Sequence, residues 1–102
     1  MNSAIAARQS DLVKLCREFH VQRLDLFGSG LSAAFDPELS DLDFLVEFEP
    51  LSVGDYATAF FGFKEALERL FGLSVDLVVA SAIRNPYFLQ SVEQGKALLY
   101  AA

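Results

Sequence analysis

Apolar positions recur at helical spacing in the first segment of the chain. Ile5, Leu12, Leu15, Cys16 and Phe19 form one stripe, with Arg8, Asp11, Lys14 and Arg17 off it, which predicts a helix near residues 3–19. A short strand is expected over Val21–Phe27. The segment from Gly28 to Ser40 is rich in small residues and reads as a turn with room for one helical turn. Leu42–Phe48 alternates as a second strand, closed by Glu49-Pro50. Ser52-Val53-Gly54-Asp55 has the form of a capping box, and the stripe Tyr56, Phe60, Phe63, Leu67, Leu70, Phe71 carries a helix to Gly72. Leu73–Ala80 is a third strand. Asn85-Pro86 opens a last helix that stops at Gly95, and Ala97–Tyr100 is an apolar tail suited to an edge strand. This order predicts a single domain over residues 1–102 in the α/β (α+β) class, a small mixed sheet flanked by helices. Strands two and three are joined through a helix and should run parallel with a right-handed crossover.

Composition narrows the setting. The chain has 102 residues, 53% of them hydrophobic, with a mean hydropathy of +0.32. That supports a real core, and ten phenylalanines suggest that some face a partner. No apolar run approaches the roughly 18–20 residues of a membrane span. The first ten residues are too polar for a signal peptide, and a lone Cys16 excludes an internal disulfide framework, so a cytoplasmic protein is expected. A net charge of −6 with eight scattered basic residues argues against direct nucleic-acid binding.

The candidate chemistry lies in three aspartates. Asp41 and Asp43 stand two apart at the second strand, and Asp76 lies inside the apolar run of the third. Carboxylates in apolar strands require compensation, and no basic residue lies within either run. Strand alternation puts Asp41, Asp43, Leu45 and Glu47 on one face and Leu42, Phe44, Val46 and Phe48 on the other, core face. By the same parity Asp76 projects with Ser74 and Val78, so neighbouring strands would gather all three aspartates on one side. Hard oxygen ligands favour Mg²⁺ or Mn²⁺ over zinc, and a pair of such ions ~4 Å apart serves in-line nucleotidyl transfer. Gly28-Ser29-Gly30 follows a strand; its bare backbone suits close approach to phosphate, with the Ser29 hydroxyl as a further contact. It is not a P-loop. Taken singly these features have ordinary readings. Asp76 could pair with Arg23 or Arg84, a Gly-Ser-Gly is commonly a turn, and Asp25 could join the acidic group but reads rather as solvated or a neighbour of Arg23. His20 reads as a helix-end residue, Glu47 as solvent-exposed, and Phe61 as off the main stripe and available to an interface.

Leu26-Phe27-Gly28-Ser29, eleven residues, then Asp41-Leu42-Asp43 resembles the signature of the DNA polymerase beta-like nucleotidyltransferase superfamily. The match is to its minimal nucleotidyltransferase branch, which includes antitoxins that act beside a HEPN-domain toxin. The resemblance covers nearly the whole chain. It implies Gly28 and Ser29 as the nucleotide-phosphate loop, Asp41 and Asp43 as metal ligands, and Asp76 as third carboxylate, metal ligand and general base. It further implies transfer of AMP from ATP to a hydroxyl of a HEPN-type toxin. The family's basic residue directly after Gly-Ser is missing, since Gly30-Leu31-Ser32-Ala33-Ala34-Phe35 carries no positive charge. A binding module that neutralises its partner by occlusion is therefore the alternative. A transferase for a cationic small molecule is a third reading, and a homo-oligomer is compatible with all three.

Overall fold

The structure is a computed structural model describing residues 3–28 and 41–102. The elements are α1 (Ser3–Ala7), α2 (Gln9–Glu18), β1 (Val21–Phe27), β2 (Leu42–Phe48), α3 (Val53–Phe71), β3 (Val75–Val79), a 3₁₀ turn (Ala80–Ala82), α4 (Pro86–Gln94) and β4 (Ala97–Ala101). The four strands form one mixed sheet in the order β3-β2-β1-β4. β1 is antiparallel to both β2 and β4, and β2 is parallel to β3, as the helical connection through α3 requires.

Alternation along β2 sets the layers. Leu42, Phe44, Val46 and Phe48 are all buried, packed with Leu24 and Leu26 of β1, Leu12 and Cys16 of α2, and Ala59, Phe63 and Leu67 of α3. Leu45 on the opposite face is also buried, and Val92 of α4 is buried too. α4 is joined to the site face by the edge-to-face contact of Phe88 with Phe27. Both faces are thus covered in part, which explains why β2 buries five of its seven residues.

The helix ends follow local chemistry. Ser52 Oγ accepts the Asp55 N–H at 3.2 Å, and Gly72 closes α3 at φ +66°. Asn85 Oδ1 accepts from the N–H groups of Tyr87 and Phe88, with Pro86 in the first turn of α4. Three expectations need correction. The single N-terminal helix is broken at Arg8, whose φ of −112° leaves the helical region and whose N–H turns back to the Ile5 carbonyl. No glycine or proline marks that break. β3 is shorter than Leu73–Ala80, because Glu68 takes the Val75 N–H at 3.2 Å and Ala80 enters the 3₁₀ turn. Glu47 is half-buried rather than exposed, since that turn folds back and brings the Ser81 N–H to its Oε2 at 3.1 Å.

Candidate active site

β2 and β3 are parallel and adjacent, and Asp43 is the direct register partner of Asp76. Register partners in a parallel pair share a face and lie about 4.8 Å apart in the hydrogen-bonding direction. Asp41 stands immediately before β2, its neighbour Leu42 anchored by an N–H bond to the Ser74 carbonyl at 3.0 Å. Two residues from Asp43, it faces the same side. The three carboxylates therefore lie on one side of two neighbouring strands, with Asp41 and Asp76 exposed and Asp43 half-buried.

Electrostatics register this proximity. Burial raises the Asp43 carboxyl above its ordinary value, and the neighbouring charges of Asp76 and then Asp41 push it further in the same direction. A carboxylate held among like charges and partly withdrawn from water is a site that favours a cation. The donor set is entirely carboxylate oxygen, which fits Mg²⁺ or Mn²⁺ chemistry. Among the described residues, no three His, Cys, Asp or Glu side chains stand as a closed metal-ligand cluster.

Gly28 closes the site from β1. The antiparallel register places Phe27 opposite Asp43, so Gly28 leaves the sheet beside that carboxylate. Its φ is +70°, and a Cβ there would lie 2.5 Å from Asp43 Oδ2. Glycine is required twice over, by backbone conformation and by the aspartate that occupies the space of a side chain. Next to it, a cavity of about 430 Å³ opens between Phe27, Gly28, Phe88, Ser91 and Gly95. Ser29, and the basic-poor stretch from Gly30 to Phe35, lie outside the described residues.

Asp25 does not join the aspartate group. It is 2% exposed and held by Arg23, whose Nε and Nη2 donate to its two carboxylate oxygens at 3.0 and 3.3 Å. Asp25 pairs in register with Leu45, two residues along the strands from the Phe27–Asp43 pair. The i, i+2 spacing of Arg23 and Asp25 was the available signal. Its burial depends on the covered site face, which the sequence did not announce. His20 sits exposed at φ 60° between α2 and β1, a turn residue as expected.

Comparison with known proteins agrees with this fold. The nucleotidyltransferase domain family profile matches residues 10–99. A presumed protein adenylyltransferase of Methanocaldococcus jannaschii, MJ0128, is 39% identical over 80 residues, 78% of each chain, and a second one from that organism, MJ1379, is 34% identical over 77. A structure described as a presumed minimal nucleotidyltransferase superposes with a TM-score of 0.71 at 31% identity over 95% of both chains. The fold also matches a chain in the structure of a tri-AMPylated Shewanella oneidensis HEPN toxin in complex with its MNT antitoxin, with a TM-score of 0.64 at 22% identity over 95% of this chain and 72% of that one. The chain belongs to the nucleotidyltransferase domain family, in its minimal branch. No helix among the described residues is long and apolar enough to cross a membrane.

Proposed function

We propose that the chain transfers AMP from ATP to a hydroxyl of a partner protein, and that the partner is a HEPN-type toxin which the transfer neutralises. The observation that carries this reading is the alignment of Asp43 with Asp76 across β2 and β3, facing the bare backbone of Gly28. The adenylyltransferase relatives support the donor, and the MNT–HEPN complex supports the kind of acceptor.

In this reading Asp41, Asp43 and Asp76 hold two Mg²⁺ (or Mn²⁺) ions, which when bound neutralise the triphosphate and polarise the reacting oxygens. Gly28 offers main-chain approach to the phosphates and Ser29 its hydroxyl. The cavity between Phe27 and Phe88 receives the nucleoside end. Asp76, exposed on the strand at the sheet margin, orients the acceptor hydroxyl and takes its proton. The acceptor oxygen bonds to the α-phosphorus, the bond to the bridging oxygen breaks, and pyrophosphate leaves.

Co-expression with the partner toxin tests the reading. The wild-type chain should restore growth, and Asp43→Asn should fail while binding the toxin as tightly. Full protection by Asp43→Asn would instead favour neutralisation by occlusion. The exposed Phe61 and Tyr87, at 67% and 82%, offer contact area for that second reading.

A further inference from the structure

Among the described residues the sheet ends at β3, and no further strand covers its outer edge where the candidate base stands. Backbone groups of successive strand residues point alternately to the two sides. The Ser74 carbonyl bonds Leu42 on the β2 side, whereas the Val75 N–H turns outward and is satisfied by the Glu68 carboxylate. Alternation then directs the N–H and carbonyl groups of Asp76 and Val78 to β2 and those of Leu77 and Val79 outward. The Val79 carbonyl opens the 3₁₀ turn, and among the described residues no side chain and no further strand bonds the outward N–H groups of Leu77 or Val79.

A groove of about 500 Å³ runs along this edge. It is lined by Leu77, Val78 and Val79 together with Phe60 of α3 and Phe88 of α4. Leu77 and Val79 belong to one face of β3 and Val78 to the other, so the groove straddles the strand rather than lying on a face. Its walls are apolar except at Arg84 and Asn85, and Arg84 is exposed and has no ion-pair partner among the described residues. At the opposite end β3 carries Asp76. The groove therefore combines main-chain N–H groups with no partner among the described residues, largely apolar walls and a positive charge, on the same strand that carries the candidate base Asp76.

We propose that this edge is the acceptor track: an extended segment of the acceptor protein adds to β3 as a fifth strand and so delivers its hydroxyl beside Asp76. Main-chain bonds to Leu77 and Val79 supply the affinity, alternate apolar side chains fill the groove, and an acidic residue of the segment meets Arg84. The site becomes selective for hydroxyls on extended chain, because a hydroxyl on a helix cannot make the edge bonds. The other free edge, β4, lies at the far side of the sheet from Asp76 and has no such role. This inference rests on the proposed transfer to a protein hydroxyl, and it names the docking surface for it.

The probe is a synthetic heptapeptide of alternating threonine and valine around a central tyrosine, with glutamate at both ends. Backbone amide exchange is followed by NMR with and without the peptide, on the wild type and on Asp43→Asn. Slowing of the Leu77 and Val79 amides by about tenfold or more is expected in both proteins, because docking does not need catalysis. An analogue N-methylated at alternate residues should give no protection. Val79→Pro, which removes one outward N–H at an edge position, should weaken peptide binding about tenfold, and Arg84→Glu should weaken it too, with ATP affinity unchanged in both. Unchanged exchange at Leu77 and Val79, or protection at β4 instead, overturns the proposal. Protection without any AMP transfer leaves the docking edge standing and removes the transferase reading, so the two fail separately.

Discussion

Gly28→Ala is the substitution that asks most of this site. The added methyl carbon would stand 2.5 Å from Asp43 Oδ2, well inside contact distance, and the backbone sits at φ +70°. The left-handed conformation alone costs an alanine roughly 1–2 kcal/mol. Turning the Asp43 carboxylate off its rotamer adds about 0.5–1.5 kcal/mol. A total near ~2–3 kcal/mol should lower the melting temperature by about 10 °C in a domain of this size. A double-mutant cycle separates the parts. In an Asp43→Ala background the carboxylate is gone and only the backbone cost remains, so a coupling of about 0.5–1.5 kcal/mol is expected. AMP transfer, followed by mass spectrometry on the partner, should fall about a hundredfold, since small displacements of reacting groups have effects of that order. Equal destabilisation in both backgrounds, or near-normal transfer by Gly28→Ala, would refute the coupling of Gly28 to Asp43.

Other consequences follow from the same structure. Asp43→Asn should modestly stabilise the metal-free protein at pH 7, because it removes a half-buried charge beside Asp76 and Asp41, with solvent screening keeping the gain small. The sign is fixed by linkage: a carboxyl raised in the folded state favours folding when protonated, and that contribution is lost as pH rises from the ordinary 3.8 through the folded value. Thermal melts of the two proteins in EDTA should therefore converge below about pH 3.8; a constant offset down to pH 3 would contradict the assignment. Burial pushes the Cys16 thiol up to about 12, so a thiol reagent at pH 8 should label it only after unfolding; fast labelling of the native chain would contradict its burial. Arg23→Ala should lower the denaturation midpoint more than Asp25→Leu, because it strands a buried carboxylate whereas the second change leaves an apolar group; the reverse order would count against the pair. Gly62→Ala should not bring the usual helix gain, since its Cβ would meet the Phe19 ring at 2.7 Å, and a clear rise in melting temperature would show that the ring yields freely.

Much of this architecture was legible because local rules and tertiary packing agree. Alternation in β2 and the stripe on α3 both point to one core, and the Ser52, Gly72 and Asn85-Pro86 signals stand at the ends they predict. The aspartate set was legible for a similar reason: parity along each strand is a property of the residue string, and only the adjacency of β2 and β3 had to be supplied by topology. What escaped depends on contacts between distant segments. Leu45 and Asp25 look like surface positions by pattern, yet both are buried on the site face. The break at Arg8 has no residue that announces it. The close approach of Gly28 to Asp43 joins two strands fifteen residues apart in sequence and could be seen only once their register was known.

The most direct test of the central claim is intact-mass spectrometry of the HEPN-type partner proposed above after incubation with this chain, ATP and Mg²⁺. A mass gain of one or more AMP units is expected on the toxin, lost with EDTA and lost with Asp43→Asn. A stable complex without any gain, under conditions where the toxin is neutralised, would contradict a transferase and leave the chain a binding module on the same fold.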